Sequence, residues 1–145
     1  GNKLSKHGIN KTTVETLGEN LSKSGFNVVS YSSKKNSSLR ILDMLFGILK
    51  HKDANYILID TYSTTAFWFA FFTSQLARVL NIKYIPILHG GNLPNRLILN
   101  PKLCKMLFEN AYINVAPSEY LKFNFEKFGI SNVINIPNFI NLYYV

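Results

Sequence analysis

The chain has 145 residues, which is enough for one domain with a hydrophobic core and argues against a complete two-domain enzyme. Hydrophobic residues make up 47% and charged residues 17%, a composition that excludes a disordered tail. Sixteen Lys and Arg against eight Asp and Glu leave a net charge of +8. This balance favours an anionic partner, such as nucleic acid, an acidic membrane surface or a phosphorylated ligand.

Cysteine use and hydrophobic runs indicate where the protein works. Cys104 is the single cysteine, so neither an intramolecular disulfide nor an all-cysteine metal site can form. The first residues lack the apolar stretch of a signal peptide. The apolar run from Ala66 to Phe72 is far shorter than the ~20 residues that span a bilayer. We therefore expect a cytoplasmic protein without a transmembrane helix.

The predicted elements alternate along the chain. The predicted strands lie at Phe26 to Tyr31, Tyr56 to Asp60, Tyr84 to Leu88, Tyr112 to Ala116 and Val133 to Ile136. A first helix, with Thr12 as its N-cap and Gly25 as its C-cap, precedes these strands. The helices between the strands are one capped by Ser38, one at Tyr62 to Leu80, one opened by Asn100-Pro101 and reaching about Asn110, and one from the Ser118 cap to Gly129.

The spacing of the strands predicts the fold class. The first four begin at positions 26, 56, 84 and 112, close to the ~30 residues of a strand-helix-strand unit. Alternating strands and helices form a mostly parallel sheet with helices on both faces, so we predict a Rossmann-like three-layer αβα fold. A strand one such interval before Phe26 would begin just ahead of Gly1, and it would be central in the sheet.

The segment after the strand ending at Leu88 contains the most informative candidate site. Ligands of open parallel sheets bind at the carboxyl ends of the strands. Here the two glycines allow close backbone approach, and imidazole, amide and guanidinium groups suit a polyhydroxylated or phosphorylated ligand. The segment runs His89, Gly90, Gly91, Asn92, Leu93, Pro94, Asn95, Arg96. The alternative is a plain turn in which His89 satisfies a backbone carbonyl.

Other strand ends and helix starts offer weaker candidates. Asp60 and Tyr62 could reach the rim of the same cleft, although the sequence favours capping of the next helix by Asp60 or Ser63. Lys6, His7 and Gly8 precede the first helix, whose N-terminus could hold a phosphate. A solvated basic loop explains that segment equally well.

Several residues are assigned to packing, and no metal site is expected. The aromatic cluster from Phe67 to Phe72 and Cys104 are interpreted as core. The three histidines have no metal-ligand spacing, and the chain contains no Asp-x-Asp triplet. We therefore expect no metal and no cofactor.

Three motifs resemble, in order and spacing, the N-terminal half of GT-B glycosyltransferases of family 4. They are Leu88-His89-Gly90-Gly91-Asn92, Val115-Ala116-Pro117-Ser118-Glu119-Tyr120-Leu121 and Val133-Ile134-Asn135-Ile136-Pro137-Asn138. The resemblance covers essentially the whole chain. It implies a Rossmann-like N-terminal domain at residues 1–137, the start of an interdomain linker at 138–145, and a C-terminal donor-binding domain beyond this sequence.

The resemblance also implies an activity and roles for the candidate residues. Such enzymes transfer a hexose from a nucleotide-sugar donor to a glycan or lipid-linked acceptor, usually without an essential metal, and bacterial members build cell-surface polysaccharides. By this similarity His89 would be the catalytic residue, near the reacting sugar. Acceptor contacts would come from Gly90, Gly91, Asn92, Asn95, Arg96, Asp60 and Tyr62, and donor phosphate contacts from Lys6, His7 and Gly8. This domain alone would be inactive.

Two other function classes stay open, together with a membrane contact. The positive charge would also suit a nucleic-acid-binding module, although no aromatic-basic motif of RNA-binding type occurs. A non-catalytic α/β interaction module is the other alternative. For the glycosyltransferase we expect no nucleic-acid partner, and peripheral contact with the anionic inner face of a membrane, where lipid-linked acceptors reside.

Overall fold

A four-stranded, all-parallel sheet organises the residues that the structure describes, which are 13–138 of this computed structural model. The elements are α1 (Thr13–Lys23), α2 (Ser37–Lys50), β1 (Tyr56–Thr61), α3 (Phe67–Val79), β2 (Lys83–Leu88), α4 (Leu93–Leu99), α5 (Pro101–Phe108), β3 (Asn114–Ala116), α6 (Glu119–Phe128) and β4 (Val133–Asn135). The strands stand in sequence order, β1-β2-β3-β4. The predicted α/β class, consistent with a Rossmann-like three-layer arrangement, is confirmed.

The hydrophobic core lies between one face of the sheet and the helices that connect its strands. Tyr84 and Leu88 of β2 project into this core and are 1% and 0% exposed. Phe108 of α5 and Phe125 of α6 meet there edge to face, with ring centroids 4.9 Å apart. Cys104 is buried in the same cluster, so its assignment to the core is confirmed.

The opposite face of the sheet is more open in the described part of the chain. Side chains alternate between faces along a strand, so Tyr56 and Leu58 of β1 point away from the core. They are 46% and 41% exposed, and Ile134 of β4 is 38% exposed. The strand that we expect ahead of Gly1 lies outside the described residues.

The predicted caps of α6 are confirmed, whereas the caps predicted for α2 and α3 are wrong. Ser118 accepts a hydrogen bond from the Leu121 amide, and α6 ends at Gly129 in the left-handed conformation, φ +101°. The N-cap of α2 is Asn36, whose side chain accepts from the amides of Ser38 and Leu39, so Ser38 lies inside the helix.

The third helix begins at Phe67, five residues after the predicted start at Tyr62. Residues 62–66 form a turn instead, in which the amide of Phe67 donates to the Thr64 carbonyl and that of Ala66 donates to the Thr64 hydroxyl. Hydroxyl groups that bind the local backbone compete with helix formation. Ala66 occupies the N-cap position, so the capping roles considered for Asp60 and Ser63 are wrong.

The predicted strand at Phe26 to Tyr31 is wrong, because residues 26–34 form no strand. Its β-branched and aromatic composition favours a strand only where a neighbouring strand completes the ladder. In the described residues β1 pairs with β2 and with no other strand. Tyr31 instead packs on α2, where its hydroxyl lies 3.0 Å from Nε2 of His51.

Candidate functional site

The candidate site is built where β1 and β2 end. The two strands are parallel and in register from the Tyr56–Lys83 pair to the Thr61–Leu88 pair. The amide of His89 continues the ladder by donating to the Thr61 carbonyl at 2.9 Å. Because both strands finish at the same edge, Asp60 and His89 are brought together although they are 29 residues apart in the chain.

Asp60 and His89 form a buried side-chain pair. Nε2 of His89 lies 2.9 Å from Oδ1 of Asp60, and the two side chains are 9% and 2% exposed respectively. A carboxylate bound to one ring nitrogen fixes the orientation of an imidazole and which nitrogen carries a proton. The plain-turn alternative assigned a backbone carbonyl to His89, but the ring of this residue has a carboxylate partner.

Tyr62 completes the cluster by stacking on the imidazole. The ring centroids of Tyr62 and His89 are 4.7 Å apart and the planes are inclined by 16°. Three candidate residues that the sequence placed near one rim, Asp60, Tyr62 and His89, therefore touch. We call them the strand-end cluster.

Burial and charge shape the acidity of this cluster. Burial raises the pKa of Asp60, but the hydrogen bond and the charge interaction with His89 lower it, and the net pKa lies below its ordinary value. Burial raises the pKa of the Tyr62 phenol, and the neighbouring charge of Asp60 raises it further. Asp60 is therefore an anion, and Tyr62 a neutral hydrogen-bonding group, at neutral pH.

The diglycine segment leads directly away from the imidazole. Gly90 has a φ of +79°, a conformation that favours glycine, and Gly91 is exposed. A Cβ atom at either position would meet no atom of residues 13–138 within 4 Å, so within the described part of the chain nothing packs against this backbone. This is the free approach that a ligand at the strand ends needs.

The rest of the predicted ligand loop is helical, which sequence analysis missed. Leu93 to Leu99 form α4, with Pro94 in its first turn and Leu93 and Leu97 buried. Proline in the first turn is the signal that predicted α5, and it could have predicted α4 as well. Asn92 stands at the N-cap without a side-chain cap bond, and Asn95 is exposed.

Arg96 is turned toward α3 rather than held in a loop. Its guanidinium carbon lies 4.4 Å from the centroid of the Phe67 ring. Its buried Nε atom has no hydrogen-bond partner among residues 13–138, whereas its backbone carbonyl accepts a weak bond from the Cys104 thiol. The guanidinium of Arg96 therefore has a packing contact with α3.

A second polar pair at the strand ends was not anticipated as part of the site. Asn135, the last residue of β4, donates through Nδ2 to Oε1 of Glu119 at 2.7 Å. Glu119 is the first residue of α6, directly after the Ser118 cap. Asn135 ends β4 and Glu119 opens the helix that follows β3, so their positions along the predicted elements could have suggested the contact.

The remaining candidates give no further cluster. Lys6, His7 and Gly8 lie outside the described residues. Within residues 13–138, no three His, Cys, Asp or Glu side chains come together in a way that could hold a metal ion. Among the same residues no helix has the length and the apolar character needed to cross a bilayer. Neither the known family models nor the curated proteins contain a match to this chain.

Proposed function

We propose that this chain is the acceptor-binding half of a GT-B glycosyltransferase of family 4. In this proposal, the whole enzyme transfers a hexose from a nucleotide-sugar to a glycan or lipid-linked acceptor in cell-surface polysaccharide synthesis. It acts in the cytoplasm, at the inner face of the membrane. The support is the resemblance of the three motifs together with the parallel α/β fold, which is the fold that the resemblance implies.

The strand-end cluster is the observation that carries the proposal. An imidazole fixed by a buried carboxylate and covered by a tyrosine ring stands next to an open diglycine segment. Sites at the ends of parallel strands gain rigidity from the sheet and access from the loops. Such an arrangement suits the positioning of a sugar hydroxyl beside a group that can exchange protons.

The chemistry assigns distinct tasks to the residues. During transfer, the bond between the anomeric carbon and the donor phosphate breaks and its electron pair leaves with the phosphate. The acceptor oxygen bonds to that carbon and passes its proton to the departing phosphate oxygen. His89 orients or polarises the reacting groups, Asp60 holds its ring, and fixed donors stabilise the charge on the departing phosphate. Lys6, His7 and Gly8 remain the proposed phosphate contacts.

The acceptor contacts follow the exposed side of the same edge. Gly90, Gly91, Asn92 and Asn95 are exposed and can offer backbone and amide hydrogen bonds. Tyr62 is half-buried and presents its phenol beside the imidazole. Arg96 is the weakest of the proposed contacts because its guanidinium already stacks on Phe67.

The test is hexose transfer by the enzyme that contains this domain, with UDP- and GDP-hexoses as donors and lipid-linked glycans as acceptors. His89→Ala is expected to lower turnover by about a hundredfold or more, as removal of a positioned proton-exchanging group does. Asp60→Asn should lower it less. Lys127→Gln, at an exposed site in the last turn of α6, is the matched control. Unchanged turnover in His89→Ala would remove the proposed role of this residue.

The competing function classes have their own observable signatures. A nucleic-acid-binding module would retain oligonucleotides tightly at low salt and release them as salt rises. An interaction module would contain the same strand-end cluster, but the protein that includes it would transfer no hexose from any of the donors tested. Either result would contradict the glycosyltransferase proposal.

A further inference from the structure

Helix α2 presents an unusual row of exposed apolar side chains. Leu39, Leu42, Phe46 and Leu49 are 56%, 60%, 61% and 52% exposed. Their spacing of three and four residues places them on one side of the helix, and we call them the apolar row. Large side chains exposed in a continuous row are the usual mark of a contact surface.

The other side of α2 is occupied, so the row cannot be the side that packs on this domain. Gly47 and Ile48 are buried, and the ring of Tyr31 lies directly against Gly47. The guanidinium of Arg40 lies 5.6 Å from the Phe69 ring of the neighbouring helix α3. The apolar row faces away from both contacts.

Lysines stand at both ends of the row. Lys34 and Lys35 precede the helix, Lys50 and Lys52 lie at its end, and all four are exposed. The leading pair is held in place, because Nε of Arg40 donates to the Lys34 carbonyl at 2.9 Å and its Nη2 donates to the Lys35 carbonyl at 3.1 Å. The basic segment therefore has a fixed position beside the first turn.

Two acidic residues on or directly after α2 leave the four lysines in excess. Asp43 is half-buried on α2, and its Oδ2 accepts a hydrogen bond from the Ser32 amide at 3.1 Å. Asp53 is the exposed acidic residue after the helix. An apolar row with basic ends is the pattern of a helix that lies in the plane of a membrane interface.

Helix α3, which packs against α2, also exposes aromatic residues. Trp68 and Phe72 are 42% and 46% exposed and stack with ring centroids 6.0 Å apart. Tryptophan is enriched at membrane interfaces because its ring combines an apolar body with a polar N–H group. The neighbouring helices α2 and α3 thus both carry outward apolar side chains.

We propose that the apolar row of α2 inserts into the interfacial region of an anionic lipid bilayer, with the four lysines at its phosphate groups. The charges favour lipid over a second copy of this chain. Two copies joined along their rows would bring the lysines of one close to those of the other in either orientation, whereas an anionic surface neutralises them. The proposal does not depend on the assignment of a glycosyltransferase activity.

Vesicle flotation of the chain tests the proposal without donor or acceptor. Vesicles of phosphatidylcholine with about 30% phosphatidylglycerol, whose negative charge attracts lysine side chains, are compared with vesicles of phosphatidylcholine alone. We expect about tenfold stronger partition to the anionic vesicles, reduced at 0.5 M salt, a concentration of roughly three times the physiological ionic strength. Equal partition to both vesicles would overturn the proposal.

Glutamine variants distinguish binding through the apolar row from non-specific hydrophobic binding. Leu42→Gln with Phe46→Gln should lower partition by about tenfold, because two inserted side chains are lost. Phe123→Gln, which is 62% exposed on α6, is the matched control and should bind like the parent chain. A loss of the same size in Phe123→Gln would mean that exposed apolar residues act without regard to position.

Tryptophan fluorescence and light scattering provide two further tests. A Phe46→Trp chain in a Trp68→Phe background should shift its emission to the blue with anionic vesicles, whether or not the glutamine variants fold. Light scattering reports the oligomeric state. A parent dimer that becomes monomeric in Leu42→Gln with Phe46→Gln, without any vesicle binding by the parent, would assign the row to self-association and overturn the proposal.

Discussion

Nε2 of His89 and Oδ1 of Asp60 lie 2.9 Å apart at the ends of two neighbouring parallel strands. The pair is almost fully buried, so its partners cannot be exchanged freely for water. Removal of one partner from a buried pair costs more than a surface hydrogen bond contributes, because the remaining group loses both water and partner. The relationship is therefore both a candidate for chemistry and a local support of the fold.

Asp60→Asn should destabilise the chain by about 1–3 kcal/mol at pH 7, the range for a lost hydrogen bond to a charged group. Because the pKa of folded Asp60 lies below its ordinary value, its ionised form stabilises the fold above pH 3.8. This contribution disappears as the pH falls through the lowered folded pKa. Urea unfolding of both proteins from pH 7 to pH 2 measures it. A stability difference that stays constant down to pH 2 would contradict the assignment.

The two glycines after His89 should respond differently to alanine. Gly90 has a φ of +79°, so Gly90→Ala should cost about 1 kcal/mol of stability. Gly91 does not have a positive φ, and a Cβ there meets no atom of the described residues within 4 Å, so Gly91→Ala should be close to neutral. Thermal unfolding of both variants makes the comparison. Equal losses would indicate that space, not backbone conformation, limits this segment.

The sequence was sufficient to predict the elements whose signals are local. Ser118 begins α6 and Gly129 ends it through contacts within a few residues. The strand spacing predicts a parallel sheet whose strand ends converge. Where pairing decides the outcome, the sequence fails. The segment from Phe26 to Tyr31 has strand composition but no ladder partner among the described residues.

The candidate site divides in the same way. Convergence of the β1 and β2 ends predicted that Asp60, Tyr62 and His89 share a rim, but not their hydrogen bond or ring stacking, which depend on side-chain rotamers. Arg96 was assigned to a ligand loop because the short helix α4 was not anticipated. Its stacking on Phe67 arises from tertiary packing that no local pattern contains.

Gly47 of α2 should tolerate no side chain while Tyr31 is present. A Cβ atom at Gly47 would lie 2.5 Å from Cδ2 of the Tyr31 ring, which is too close for any real contact. Gly47→Ala should therefore cost about 1–3 kcal/mol despite the better helix propensity of alanine. Tyr31→Leu with Gly47→Ala should be more stable than the sum of the two single changes predicts. Additive losses in a double-mutant cycle would show that the two residues are not in contact.

Cys104 should be an inert thiol in the folded chain and should weaken the fold at high pH. It is 0% exposed, and burial raises its pKa to about 11 from 9.0, partly opposed by the charge of Arg96. The unfolded chain releases the thiol proton near pH 9 while the folded chain keeps it, so stability falls as the pH rises above 9. At one pKa unit per 1.36 kcal/mol, the loss reaches at most about 2–3 kcal/mol near pH 11.

The comparison with Cys104→Ala isolates this contribution, because other groups that titrate in this range are common to both chains. A disulfide reagent should modify the parent at pH 8 only after denaturant is added. Rapid modification of the folded chain, or parallel loss of stability in both proteins between pH 9 and 11, would mean that the thiol is not held within the core.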